Sequence, residues 1–318
     1  KLLRTILAGV AEFERDIIRE RTSEGRKRAM ANGVQFGRKP KLTSHQRAEA
    51  IQRRAAGETL TDIAKSYAVD ISTIDVDAAS VVGVAVARAD KSFVASTAEL
   101  ALGLLLDCAR NIATSTHDYR SGHEPPQRSG WQLRDQTAGI IGYGAIGSYL
   151  AELLTALGMR VLVADPYVDD VAAPAQQVDV DVLLATSDVV FPLAQAVPDT
   201  ENLIDADALA AMPRGSTLIN VSRGELLDEA AVLAALESGQ LAAVGLDVGR
   251  AADQRPSMAL AQHPRAVATP HLGGLTPQNA DAQAASSVEQ IVAMSAGRMP
   301  PRTVNADDVR RLHELWCR

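Results

Sequence analysis

The run Ala138-Gly139-Ile140-Ile141-Gly142-Tyr143-Gly144-Ala145-Ile146-Gly147 constrains this 318-residue chain more than any other stretch. An apolar segment ends on Gly-x-Gly-x-x-Gly, and a helical pattern over Ile146–Leu157 begins inside the motif. A second apolar segment, Val161-Leu162-Val163-Ala164, ends at Asp165, eighteen residues after Gly147. Each glycine answers a separate demand. Gly142 permits a tight turn, Gly144 lets the backbone approach a pyrophosphate, and Gly147 lets the helix pack close to the strand. The amino terminus of that helix offers N–H groups and a positive dipole end to phosphate charge. Asp165 stands where a carboxylate accepts hydrogen bonds from ribose hydroxyls and repels a 2′-phosphate, and Pro166 and Tyr167 follow it instead of an arginine. Strand, turn, helix, strand and acid in this order predict a site for NAD rather than NADP, with Tyr143, Ala145 and Ile146 completing the cofactor-binding turn.

The same grammar runs through the rest of the chain past residue 76. Short β-rich segments at Gly83–Ala87, Ala138–Gly142, Arg160–Asp165, Asp188–Leu193, Ser216–Val221, Leu241–Val248 and Ala266–Thr269 are expected strands. Between them lie helical patterns at Ser96–Asn111, Ile146–Leu157, Asp207–Met212 and Asp228–Ser238. Alternation of this kind implies right-handed crossovers, and hence an α/β fold with a doubly wound parallel Rossmann sheet. Apolar residues make up 47% of the chain and aromatics only 3%, so its core must be built from Ala, Val, Leu and Ile.

Residues 1–75 follow different rules. Leu3, Ile6, Leu7, Val10, Phe13 and Ile17 recur at helical spacing and predict one long amphipathic helix from Leu2 to about Ala31. Gly37-Arg38-Lys39-Pro40-Lys41 then reads as an extended basic linker, because Pro40 disfavours helix at Lys39. Short helices over Ser44–Ala56 and Leu60–Tyr67, with a third near Asp70 or Ser72, complete an all-α segment ahead of the sheet. This part carries a net charge of +5 and the remainder −12, a contrast that suggests two parts of different origin and a nucleic-acid partner for the first. Cys108 and Cys317 fit neither a disulfide framework nor a paired metal site. No signal segment or membrane-length apolar run is apparent, so the expected setting is the cytoplasm, with no metal and no membrane partner.

Four stretches carry a family resemblance: Gly139–Gly147, Leu218–Leu226, Gly245-Leu246-Asp247-Val248 and Thr269-Pro270-His271-Leu272-Gly273-Gly274. From about Asp75 to Asn305 the chain resembles the D-isomer-specific 2-hydroxyacid dehydrogenases. The resemblance implies that Arg223 grips the substrate carboxylate and carbonyl oxygen, that His271 exchanges the proton at the hydroxyl, and that Asp247 sits near the nicotinamide amide, with Ser222 also at the cofactor. An arginine fork does suit a carboxylate and a developing alkoxide, and a histidine titrates near neutrality. The family's Glu before a Pro, which charges the histidine, is absent. Val248–Pro256 supplies Asp253 and Gln254 instead, either of which could orient His271, and Gln254 is preferred as the third catalytic residue. The family's His-x-Pro is replaced by Leu193-Ala194-Gln195.

Ile6–Gly25 together with Phe36–Pro40 resembles the C-terminal end of a serine recombinase of the resolvase–invertase type, and residues 42–74 resemble the helix-turn-helix that follows it. Asp75-Val76-Asp77 stands where that family continues with basic residues, and its charge faces phosphate unfavourably. The resemblance puts the recombinase nucleophile before residue 1, leaving Arg15 and Arg21 as a solvated helical face. The expected organisation is therefore 1–41 helix and arm, 42–74 helix-turn-helix, 75–95 remnant of a substrate domain, 96–275 NAD-binding domain and 276–318 C-terminal helix and tail. A gene fusion through a mobile-element insertion accounts for the junction near Ile74–Val76. The expected function is NAD-dependent oxidation of a small 2-hydroxy acid or reduction of a 2-oxo acid, impaired by the reduced substrate domain. The alternative is a DNA-binding chimera with a passenger cofactor domain. Homodimerisation is expected through the cofactor domain or the N-terminal helix.

Overall fold

The structure is a computed structural model that describes residues 80, 85–88, 91–168, 170–251 and 253–307. The long helix, the basic linker and the helix-turn-helix expected over 2–74 lie outside the described residues.

Within the compact unit Ala89–Val292, seven parallel strands form one sheet. They are β1 (Thr137–Ile141), β2 (Arg160–Ala164), β3 (Gln176–Gln177), β4 (Val189–Pro192), β5 (Ser216–Asn220), β6 (Leu241–Leu246) and β7 (Ala266–Ala268), in the order β3-β2-β1-β4-β5-β6-β7. The order reverses between β1 and β4, and ligands of doubly wound sheets bind at such a switch point, outside the carboxyl ends of the strands. Every residue of β1, β4 and β5 is buried, which accounts for the apolar runs Ala138–Ile141, Val189–Pro192 and Leu218-Ile219 within them.

Side chains alternate between two cores, as the period of two demands. Ile140, Val161, Val163, Val189, Phe191 and Ile219 face the helices α1 (Phe93–Arg110) and α3 (Ala145–Ala156) through Leu104, Leu105, Leu150 and Leu154. Ile141, Leu162, Val190, Leu218, Val244 and Leu246 face α4 (Val180–Thr186), α5 (Ala206–Ala211), α6 (Glu229–Ser238) and α7 (Met258–Ala261) through Leu183, Leu209, Leu236 and Leu260. Phe191 is the one aromatic among the largest fully buried side chains, so the core is aliphatic as the composition requires. Two further helices, α2 (Ile112–Arg120) and α8 (Pro277–Ser295), complete the described set. None of these helices is long and apolar enough to cross a membrane.

Six of the seven expected strands are present, β1 shifted by one residue toward the amino terminus and the other five shorter than their apolar patterns. All but one of the lost residues are carboxyl-terminal: Gly142, Asp165, Leu193, Val221, Asp247 with Val248, and Thr269, the exception being Asp188 ahead of β4. Gly142 shows why. Its N–H still donates to Ala164 O (2.9 Å), but φ +104° turns the chain out of the ladder and into the site. Of the seventh expected strand, Gly83–Ala87, the described residues 85–87 form none of the strands of the sheet. In the unit that includes 85–88 and 293–307, Ala87 makes a single antiparallel bridge to Thr303, with Val304 N donating to Val86 O (2.8 Å) and Arg88 N to Arg302 O (3.0 Å). Buried Asn305 fixes this pairing by accepting from Val86 N and donating to Ser80 Oγ.

Candidate active site

At the switch point the three glycines meet different surroundings. A Cβ on Gly142 would lie 2.7 Å from Ala194 N, and one on Gly147 would lie 2.2 Å from Gly142 O. Both positions are closed to side chains by backbone that cannot yield. A Cβ on Gly144 would meet no protein atom within 4 Å, so the glycine there keeps space open rather than permitting protein packing. Gly144 also caps α3 without any side-chain hydrogen bond, and no acid occupies the first turn. The open space, the uncapped amino terminus and its dipole together suit an anionic pyrophosphate.

Asp165 holds this turn from the end of β2. Its Oδ2 accepts from Tyr143 N (2.7 Å) and its Oδ1 from Tyr167 N (2.9 Å), leaving further lone pairs for ribose hydroxyls. The residues present fit NAD.

Two loops away, β5 ends at fully buried Asn220. Its Oδ1 accepts from Ser222 N (3.0 Å), its Nδ2 donates to Arg223 O (2.8 Å), and its own carbonyl accepts from Asp247 N (3.0 Å). Ser222 Oγ donates across to Ala194 O (3.2 Å), joining this loop to the one after β4. Arg223 is exposed; Nη1 donates to Ser222 O (2.8 Å), and it forms no ion pair among the described residues. A Cβ on Gly224 would lie 2.1 Å from the Gly249 carbonyl carbon, so the loops after β5 and β6 touch backbone to backbone.

Asp247 organises the third loop. Fully buried, it accepts from Thr269 Oγ1 (2.6 Å) and Leu272 N (2.7 Å) at Oδ1 and from Gly273 N (2.8 Å) at Oδ2, and its carbonyl accepts from His271 N (2.9 Å). Thr97 Oγ1 of α1 donates to Gly273 O (3.3 Å), and Asn279 Nδ2 donates to Gly274 O (2.6 Å). His271 sits in the middle of this anchored loop, half-buried and at φ +61°. A non-glycine residue persists in that region only when its surroundings over-determine it, a cost of order 1–3 kcal/mol concentrated at functional sites.

Gln254 is also left-handed, at φ +58°, in a loop closed by Gly249 N donating to Gln254 O (2.9 Å). Its side chain makes no hydrogen bond to His271 among the described residues. Asp253 is turned away toward Arg255, with Oδ2 at 3.3 Å from Nε and Oδ1 accepting from Arg255 N. The structure thus gathers the loops of Arg223, Asp247, Gln254 and His271 at one edge of the sheet and engages neither candidate partner with the imidazole.

Three contributors escaped the sequence reading. Asn220 and Thr269 fell inside stretches read as strand ends, where a buried polar residue was the available signal. Thr97 lies 176 residues from Gly273, and nothing local marks it. Among the described residues, no group of three His, Cys, Asp or Glu side chains is placed to hold a metal.

Residues 102–273 match the family model described as D-isomer specific 2-hydroxyacid dehydrogenase, NAD binding domain. The chain belongs to this family. Its dehydrogenase portion is 35% identical over 257 residues to D-3-phosphoglycerate dehydrogenase of Mycobacterium leprae, covering 80% of this chain and 48% of that protein. It is 33% identical over 239 residues to hydroxypyruvate reductase of Thermotoga maritima, covering 74% and 77%. The crystal structure of a Thermus thermophilus protein superposes with a TM-score of 0.69 at 32% identity, over 74% of this chain and 76% of that one. The chain spans about half the length of the phosphoglycerate dehydrogenases it matches. Residues 1–35 match a second model, described as Resolvase, N terminal domain, so a dehydrogenase cofactor domain is joined here to a segment of recombinase type.

Proposed function

We propose that this 2-hydroxyacid dehydrogenase homologue is an NAD-dependent oxidoreductase that interconverts a small D-2-hydroxy acid and its 2-oxo acid. The reading rests on one observation: the buried Asp247 carboxylate anchors the His271 loop on the same sheet edge where Gly224 and Gly249 lock the Arg223 loop. Gly142, Gly144, Gly147, Tyr143, Ala145 and Ile146 would hold the pyrophosphate, and Asp165 the ribose. Bound NAD supplies the hydride acceptor in oxidation, and NADH the donor in reduction. Arg223 has donors free for a planar carboxylate, and its fixed charge stabilises an alkoxide as it develops at the reacting carbon. His271 gives a proton to that oxygen in reduction and takes it in oxidation. Gln254 orients the imidazole without adding charge, a role that requires its side chain to swing toward His271. The names of the relatives favour glyoxylate, hydroxypyruvate or a phosphorylated 2-hydroxy acid, and the cytoplasm is the expected setting.

NADH oxidation with a panel of 2-oxo acids tests the proposal. The expected result is turnover with glyoxylate or hydroxypyruvate, reduced about 10²- to 10⁴-fold in His271→Ala with NADH binding retained. NADH binding without turnover on any 2-oxo acid would reject the enzyme reading. A second reading, DNA binding through residues 1–74, is favoured by the resolvase match over 1–35 and the net positive charge there. It requires salt-sensitive DNA binding that is lost when the 1–74 basic residues are neutralised.

A further inference from the structure

The loops after β4, β5 and β6 converge on one side chain that the dehydrogenase motifs do not include. Arg250, three residues past Asp247, is 21% exposed and donates to four acceptors on two segments. Nε donates to Leu227 O (3.1 Å), Nη1 to Glu201 Oε1 (3.2 Å), and Nη2 to Glu225 O (2.8 Å) and to Asn202 Oδ1. Its backbone N–H donates to Glu229 Oε1 at the start of α6 (3.2 Å). Glu225 O also accepts from Asn202 N (2.8 Å), and Leu226 O from Ile204 N (2.9 Å), so Arg250 closes a seam already stitched by backbone. The ion pair with Glu201, itself 45% exposed, contributes little alone. The two backbone carbonyls matter more, because a planar guanidinium with five fixed donors sets the direction of the chain that carries its acceptors.

That chain is the turn Gly224–Leu226, which begins next to Arg223. Arg223 has no carboxylate partner of its own among the described residues, so its position depends on the Asn220 hydrogen bonds on one side and this turn on the other. We infer that Arg250 is a positioning residue: it fixes the 224–227 turn so that Arg223 is presented at a set place to the carboxylate of a 2-oxo acid. The inference rests on the role proposed for Arg223. Lysine cannot replace it, since an ammonium presents its donors from a single point and cannot reach four acceptors in two directions.

Arg250→Ala and Arg250→Lys, each in the full chain, test this with two readouts. Amide hydrogen exchange over 222–228 should quicken in both variants while exchange in β1 and α3 stays at the wild-type rate. With a 2-oxo acid that the wild type reduces, kcat/KM should fall on the order of a hundredfold, chiefly through KM, with NADH affinity unchanged. Low millimolar guanidinium chloride should partly restore Arg250→Ala, an effect that general destabilisation would not give. Unchanged exchange over 222–228 in Arg250→Ala, or wild-type KM in Arg250→Lys, overturns the inference. If Arg250→Ala does not fold, Arg250→Lys carries both readouts. Quickened exchange alongside a wild type that reduces no 2-oxo acid would sink the enzyme reading instead and leave the clamp standing.

Discussion

The two ends of the candidate site are held by opposite means. Around β1 and β2 the geometry comes from missing side chains: Gly142 and Gly147 sit where a Cβ would strike backbone, and Gly144 leaves a space. Around β5, β6 and β7 it comes from polar side chains: buried Asn220 folds its own loop, while Asp247 and Arg250 tie together segments far apart in sequence. The proposed cofactor end is therefore local and steric, and the proposed catalytic end is long-range and polar. A local device needs only a short motif. A long-range one needs the whole sheet to be folded first, and an unsatisfied partner left behind is costly there.

The sharpest way to break this contrast is Asp247→Ala. It strips partners from two backbone N–H groups and the Thr269 hydroxyl, and should lower stability by about 3 kcal/mol, read from a denaturant midpoint. The His271 loop should loosen and turnover should vanish, while NADH affinity falls far less than turnover. Loss of NADH binding equal to the loss of turnover would show that the two ends are not separately held.

Glycine substitutions probe the other end and should separate from one another. Gly147→Ala forces a methyl against Gly142 O and should destabilise by about 1–3 kcal/mol as well as abolish NADH binding. Gly144→Ala meets no protein atom, so its stability should stay within about 1 kcal/mol of the wild type. NADH affinity measured by fluorescence should nevertheless fall, because the methyl occupies ligand space. Equal destabilisation by both changes would refute the assignment of Gly144 to the ligand.

The smallest effect at neutral pH concerns Cys108 on α1, packed near Gly245. Burial, then the neighbouring Asp107 carboxylate, push its thiol up to about 12. It should resist alkylation in the native protein and react only on unfolding. Because the folded state holds this proton more tightly, the associated stability is complete below the ordinary thiol range near 9 and is lost as pH rises toward about 12. A Cys108→Ala variant whose stability falls just as steeply over that window would show that other groups dominate.

Much of the fold was legible because parallel strands buried on both faces are built around apolar runs, and six of them sit where the pattern puts them. β3 was not, since Gln176 and Gln177 are two exposed polar residues on an edge. Helix α2 was missed for a related reason: it buries no residue, so it carries no apolar stripe. The segment 83–87 misled because Val and Ala suit a strand, whereas its described residues pair with 302–304 through a single bridge. At the candidate site, Gly142, Gly144, Gly147 and Asp165 were proposed from spacing alone. Arg223 and His271 needed the resemblance, and the contacts of Asp247 needed coordinates.

The order of amino acids alone marks out a dinucleotide turn with an acid at the end of the next strand, because that device is complete within thirty or so residues. It also determined that residues 1–75 differ in charge and pattern from the rest. Folding alone brings together the groups that hold the candidate catalytic loops. Asn220 reaches Asp247, Asp247 reaches Gly273, and Arg250 reaches Glu201, across separations that no local pattern encodes. Parallel strands are joined by long crossovers, so residues that meet at their carboxyl ends are necessarily distant in the chain.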